Sequence, residues 1–284
     1  MIRNRLIQLT CGILLASGLS SRALGQQASS EHGSRADLDE IRKVRTLLKA
    51  DVLNQANEKI ASVTDLILSP DGKIHYAVLG VGGVAGIGAK YTAIPWEKLN
   101  IKHVHGKWAV NLDLTKDALE RAPMFQSDTY KELTNPQWIA KIREFFDSRG
   151  AVSNAREEDR EARSADAMSM VLRASKILGA TLRNSRDEHL GSVEDLLLDR
   201  NARAAFAIIG HGGVLGIGEN YIPVPWSKLR LNYRPEDITI VAVIDSTKDQ
   251  LEKAPLVKGD SYATMLAPGF TTQVYRYFGM ERPE

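Results

Sequence analysis

The chain of 284 residues contains one cysteine, Cys11. An intrachain disulfide is therefore excluded, and so is a metal site closed by thiolates. Aromatic residues make up only 6% of the chain. An excess of one charge is missing too, since 37 Lys and Arg face 35 Asp and Glu. Such a balance gives little electrostatic attraction for nucleic acid or anionic lipid. No apolar run reaches the ~20 residues that span a bilayer. No Gly-Lys-Ser or Gly-Lys-Thr occurs, which excludes a Walker phosphate loop.

What is present begins with a leader-like N-terminus. Arg3 and Arg5 precede an apolar run over residues 9–19, and Ala23-Leu24-Gly25 stands before Gln26. A basic start, a short apolar stretch and a small-x-small site read as a secretory signal peptide over 1–25. Its removal takes away Arg3, Arg5, Arg22 and Cys11, leaving 34 basic residues against 35 acidic ones. The processed chain is then thiol-free, nearly neutral and periplasmic or otherwise exported. Cys11 precedes most of the apolar run, where a lipid-bearing cysteine would follow it.

The rest of the chain is one unit written twice. An offset of 130 aligns residues 47–99 with the second half without a gap. Asn54, Ser62, Val63, Asp65, Leu66 and Leu68 recur as Asn184, Ser192, Val193, Asp195, Leu196 and Leu198. An offset of 132 then matches Asp113, Thr115 and Pro123 to Asp245, Thr247 and Pro255, and Tyr130 and Phe146 to Tyr262 and Phe278. Two copies are too few for a solenoid, so tandem domains of similar fold are the simplest outcome.

Each copy reads as short strands closed by helices. A β-like run covers 47–53, an alternating strand 62–68, and Ser69-Pro70-Asp71-Gly72 signals a turn. Apolar strands follow at 74–81 and 205–210, and last strands at 108–112 and 238–244. Thr115 and Thr247 are placed to cap short helices, with Gln250 at the third position of a capping box. A further helix over 137–146 puts Trp138, Ile142, Phe145 and Phe146 largely on one face. The boundaries expected are 26–45 for an N-terminal helix or linker, 46–114 for the first barrel-like domain and 115–148 for a helical segment. A charged linker over 149–170, a second domain over 171–246 and a helical C-terminal segment over 247–284 complete the division.

The copies share a glycine-rich stretch, GGVAGIGAKYTAIPW at 82–96 and GGVLGIGENYIPVPW at 212–226. A dinucleotide loop must open a helix whose N-terminus holds the pyrophosphate. Here the glycines lead into a β-favouring run closed by proline, so a tight hairpin is expected instead. Val84 and Ile87, matched by Val214 and Ile217, would fold inward or form an apolar tip. With Tyr91, Trp96, Tyr221 and Trp226 they are the candidate interaction surface. Each tryptophan has a competing role in packing a barrel end.

The order Ser-Val-x-Asp-Leu-x-Leu, turn, apolar strand, Gly-Gly-x-x-Gly-Ile-Gly, then Pro-Trp-x-x-Leu resembles the PRC-barrel family over residues 47–113 and 177–245. That family is known from the reaction-centre H subunit and a ribosome-maturation factor. The resemblance implies a mainly β fold with accessory helices: two tandem small antiparallel β-barrels, each followed by helices. Its known members act as docking or assembly modules without shared catalytic residues. The leader sets this chain apart from both named examples.

Catalytic chemistry has few candidates. His103 and His105 are one strand step apart, yet two histidines do not close a zinc site. His75, His189 and His211 are unmatched between copies. Asp65 and Asp195 are matched, but each lacks the second group that acid–base catalysis needs, and backbone capping is the role expected of them. No catalytic residue, metal or cofactor is assigned. The function expected is a non-enzymatic, exported protein-interaction or envelope-assembly module whose partner is another protein. A periplasmic small-molecule carrier and a hydrolase with a site unique to one copy are the alternatives.

Overall fold

The structure is a computed structural model. It describes residues 42–82, 90–104, 107–126, 130–148, 171–211, 220–234, 239–259 and 262–283. Every described residue belongs to one compact unit, 34–284. Residues 1–25, read as a leader, residues 83–89 and 212–219 of the glycine-rich stretches, and the charged connection over 149–170 lie outside the described residues.

Two sheets carry the fold. In the first half β2 (Asp51–Leu53), β3 (Lys59–Leu68), β4 (Ile74–Val81), β5 (Lys90–Pro95), β6 (Asn100–Val104) and β7 (Lys107–Asn111) are ordered β5-β4-β3-β2-β7-β6. In the second half β9 (Thr181–Asn184), β10 (His189–Leu198), β11 (Ala204–His211), β12 (Asn220–Pro225), β13 (Leu229–Arg234) and β14 (Thr239–Ile244) repeat that order, with β15 (Val257–Lys258) added beside β12. Neighbours are antiparallel except β2 with β7 and β9 with β14, which are parallel.

The run 47–53, expected to be one strand, is divided. A short helix, α1 (Val44–Leu47), ends there, Lys49 turns the chain at φ 72°, and the strand begins at Asp51. Preceding α1 is β1 (Arg42–Lys43), and the second half begins likewise with β8 (Leu172–Arg173) and α4 (Ala174–Ile177). These two segments, 42–47 and 172–177, are straps that cross over. β1 pairs with β10 of the second half, Arg42 opposite Leu198 and Lys43 opposite Leu197. β8 pairs with β3 of the first half, Ile67 opposite Arg173 and Leu68 opposite Leu172. Each sheet therefore contains a strand of the other half. One apolar cluster runs through both, from Val44, Leu66 and Ile94 to Leu196, Val224 and Ile244.

The helices form where the sequence places them. In α2 (Lys116–Leu119) Thr115 Oγ1 accepts from the Ala118 N–H at 3.2 Å. In α5 (Lys248–Glu252) Thr247 and Gln250 complete a reciprocal capping box. Helix α3 (Pro136–Asp147) starts at Asn135, whose Oδ1 accepts from Gln137 and Trp138, and has proline in its first turn. It buries Ile139, Ile142 and Phe146, leaving Trp138 and Phe145 partly covered. The second half ends in α6 (Phe270–Tyr277) over a smaller cluster that holds Phe206, Tyr221, Tyr262 and Tyr275. Among the described residues no helix is long and apolar enough to cross a membrane.

Candidate functional site

The duplicated Ser-Val-x-Asp-Leu motif builds the seam between the halves. In β3 the ladder to β4 shifts register between Val63 and Asp65, and in β10 the ladder to β11 shifts between Val193 and Asp195. Such a bulge leaves one residue unpaired and re-aims the next. Asp65 and Asp195 thereby sit inside, 0% and 1% exposed. A buried carboxylate needs donors, and the incoming strap supplies them. Asp65 Oδ1 accepts from the N–H groups of Leu66 at 2.9 Å and Ser175 at 3.0 Å. Its Oδ2 accepts from Ser175 Oγ at 2.5 Å and Arg173 Nε at 2.9 Å. Asp195 Oδ1 accepts from Leu196 at 2.8 Å and Arg45 at 2.9 Å, both through backbone N–H. Each aspartate caps the first turn of the other half's helix.

The seam is not symmetric in side-chain chemistry. Arg173 lies 13% exposed against Asp65 and stacks on Tyr130 with 3.9 Å to the ring centroid. The matched Lys43 stands 5.5 Å from the Tyr262 ring. Where Asp65 meets an arginine at this matched position, the strap that reaches Asp195 carries a lysine. Burial pushes the Asp195 carboxyl up to about 6, opposed by the Arg45 and Leu196 N–H groups and by the charges of Arg45 and Lys43. Burial likewise raises the Tyr130 hydroxyl to about 12, with the Asp65 charge adding to it.

A second contact lies where the turns after β3 and β10 meet. Lys73 and Arg203 form an antiparallel bridge, flanked by Ile74 N–H to Ala202 O and Ala204 N–H to Gly72 O, both 2.9 Å. Arg203 is ion-paired with Asp71. Trp226 Nε1 donates to Pro70 O at 3.1 Å, and its ring covers Gly72, where a Cβ would stand 2.7 Å from Nε1. The matched turn has Ala202 at φ 57° instead of glycine. Trp226 is buried at 6% exposure, whereas Trp96 is only half-buried.

Of the eight surface candidates, Tyr91, Trp96, Tyr221 and Trp226 are among the described residues. Val84, Ile87, Val214 and Ile217 lie outside the described residues. Tyr91 is half-buried beside Phe125 and Tyr130. Tyr221 is 7% exposed, packed edge-on to Tyr262. Tyr221 and Trp226 are both buried, the second against the turn at Gly72. The large hydrophobics that are exposed among the described residues are Leu256, Leu266 and Tyr277, all in the C-terminal segment.

Of the histidines, His75 meets chemistry-bearing neighbours. Its Nε2 lies 3.0 Å from Ser69 Oγ, and Ser69 donates to Asp71. Serine stands in the middle of that chain, and its proton goes to the acid. A nucleophilic triad needs the imidazole between serine and acid, so the trio is a clasp on the turn. Burial, with Lys73 nearby, lowers the His75 pKa. No three His, Cys, Asp or Glu among the described residues are grouped to hold a metal ion.

Sequence reasoning missed the exchanged straps. The available signal was Arg-Lys-Val-Arg-Thr-Leu-Leu at 42–48 against Leu-Arg-Ala-Ser-Lys-Ile-Leu at 172–178, which extends the repeat upstream. The sequence profile of the PRC-barrel domain matches residues 39–119 and 170–251, and both ranges include a strap. Comparison with curated proteins finds no match.

Proposed function

Because the chain belongs to the PRC-barrel domain family and holds two copies of that domain, we propose that it is a non-catalytic, exported protein-interaction or envelope-assembly module. The observation that carries this reading is the use made of the two matched, buried carboxylates. Asp65 and Asp195 hold backbone N–H groups of the opposite strap and so maintain shape. Among the residues the two copies share, the glycines, prolines, apolar groups and these caps are types that specify a rigid body. Leu256, Leu266 and Tyr277 offer apolar contact area on the C-terminal segment, and exposed apolar groups suit a protein partner.

The test is site-specific photo-crosslinking in the native cell. A photoreactive side chain at Leu256 or Leu266 is expected to give a discrete adduct with one protein, and one at Lys176 to give none. Adducts that are absent or equal at all three positions count against the reading. Export is checked separately by cell fractionation and by N-terminal sequencing, which is expected to begin at Gln26.

A further inference from the structure

The seam is built like a dimer interface within one chain. Each half carries a strap and a dock, and the two straps are exchanged reciprocally. A surface of this kind can be completed by the matching half of another copy. Three pairings are conceivable between copies: first half with second, first with first, and second with second. Like-with-like pairing satisfies every half of two copies only when first pairs with first and second with second together. Pairing of unlike halves closes within one molecule or reciprocally between two, and can otherwise run head to tail.

The contacts at the seam discriminate among these. Trp226 lies on Gly72, where an added Cβ would be 2.7 Å from Nε1 and 2.8 Å from Cδ1. A second half facing another second half would set Trp226 against Ala202, which carries that Cβ. It would also set Arg203 against Arg203 and Asn201, and so lose Asp71. A first half facing another first half would set Lys73 against Lys73 and give Asp65 the Lys43 and Arg45 positions. It would then lose both Arg173 Nε and Ser175 Oγ from the Asp65 carboxylate. Rejection of the wrong partner by steric conflict and unpaired charge is as effective as attraction of the right one.

We propose that Gly72 with Trp226, Asp71 with Arg203 and Asp65 with Arg173 form a pairing code that admits only unlike halves. A second copy of this chain is then accepted only by exchange of unlike halves, the smallest closed form being a reciprocal dimer. The inference stands apart from the interaction role above, and neither depends on the other.

The experiment uses the full chain with Cys11→Ser. Lys73 and Arg203 are bridge partners, and facing Cα atoms of an antiparallel pair fall within disulfide reach. Three variants are compared: Lys73→Cys with Arg203→Cys, and each substitution alone. All are unfolded, refolded from dilute to concentrated solution, oxidised, and run on non-reducing gels with peptide mapping. The double variant is expected to give an intrachain 73–203 link in dilute solution. At high concentration it is expected to give a covalent dimer through two interchain 73–203 links. The single variants are expected to stay uncrosslinked. A dimer from either single variant at comparable yield would overturn the code. So would a double variant that never links between chains at any concentration. A Gly72→Ala version of the double variant, expected to lose several-fold in yield of both linked forms, ties the outcome to the Trp226 contact.

Discussion

Lys49 and Gly179 occupy matched positions, and both turn the chain through positive φ, 72° and 82°. Each N–H donates at 2.7 Å to the bulged strand of its own half, Lys49 to Val63 O and Gly179 to Val193 O. These are the pivots from which the straps depart. A side chain in the left-handed region costs about 1 kcal/mol or more, and glycine avoids that cost while adding freedom to the unfolded chain. Lys49→Gly is expected to stabilise by about 0.5 kcal/mol, and Gly179→Lys to destabilise by ~1 kcal/mol. Thermal melts of the two variants check the opposite signs.

The two caps differ in what their loss leaves behind. Asp65→Asn removes the charge opposite Arg173, itself largely buried. Breaking such a pair costs about 3 kcal/mol or more. Asp195→Asn keeps a carbonyl oxygen for the Arg45 and Leu196 N–H groups, so it is expected to cost under ~1 kcal/mol at neutral pH. Urea unfolding of both variants measures the ratio.

The same difference sets a pH dependence. The Asp195 carboxyl rises from 3.8 to about 6 on folding. The folded state therefore binds the proton more tightly, and this group's contribution is complete below pH ~4 and lost as pH rises through about 6. Its size is on the order of 2–3 kcal/mol. The wild type should show this component of stability falling between pH 4 and 7, and Asp195→Asn should flatten it. An equal slope in both proteins would refute the assignment.

At the turn contact, Gly72→Ala puts a Cβ into the Trp226 ring at φ 84°. A cost of about 2–3 kcal/mol is expected from overpacking together with backbone strain. Trp226 should become more exposed, which a red shift of tryptophan emission would report.

Much of the architecture was legible because it rests on local signals. Thr247 and Gln250 at capping-box spacing announced α5, and Ser69-Pro70-Asp71-Gly72 announced its turn. The straps were not legible, since Arg42 and Leu198 pair across the whole unit and no local period marks a crossing. Asp65 and Asp195 were recognisable as caps, but not what they capped. A carboxylate in an apolar strand requires donors, yet their origin in the other half is a property of topology. Trp226 and Trp96 read alike in sequence, and only the structure shows that Trp226 covers Gly72 of the other half.

A shared core implies one unfolding event. Residues of both halves belong to the same apolar cluster, so calorimetry of the 34–284 unit is expected to show a single transition. Thr247→Ala, which loses a capping box, should lower that transition by an amount equivalent to ~1 kcal/mol. A second, separate peak would mean that the halves melt independently.

The crossing also imposes a timetable on synthesis. Arg45 and the aspartate that receives its N–H are 150 positions apart, while Ser175 and Asp65 are 110 apart. Vectorial emergence from a ribosome or a translocation channel delivers the first strap long before its dock exists. The nascent chain must wait for β10, and the last contact to be closed is the one that the earliest of these residues makes.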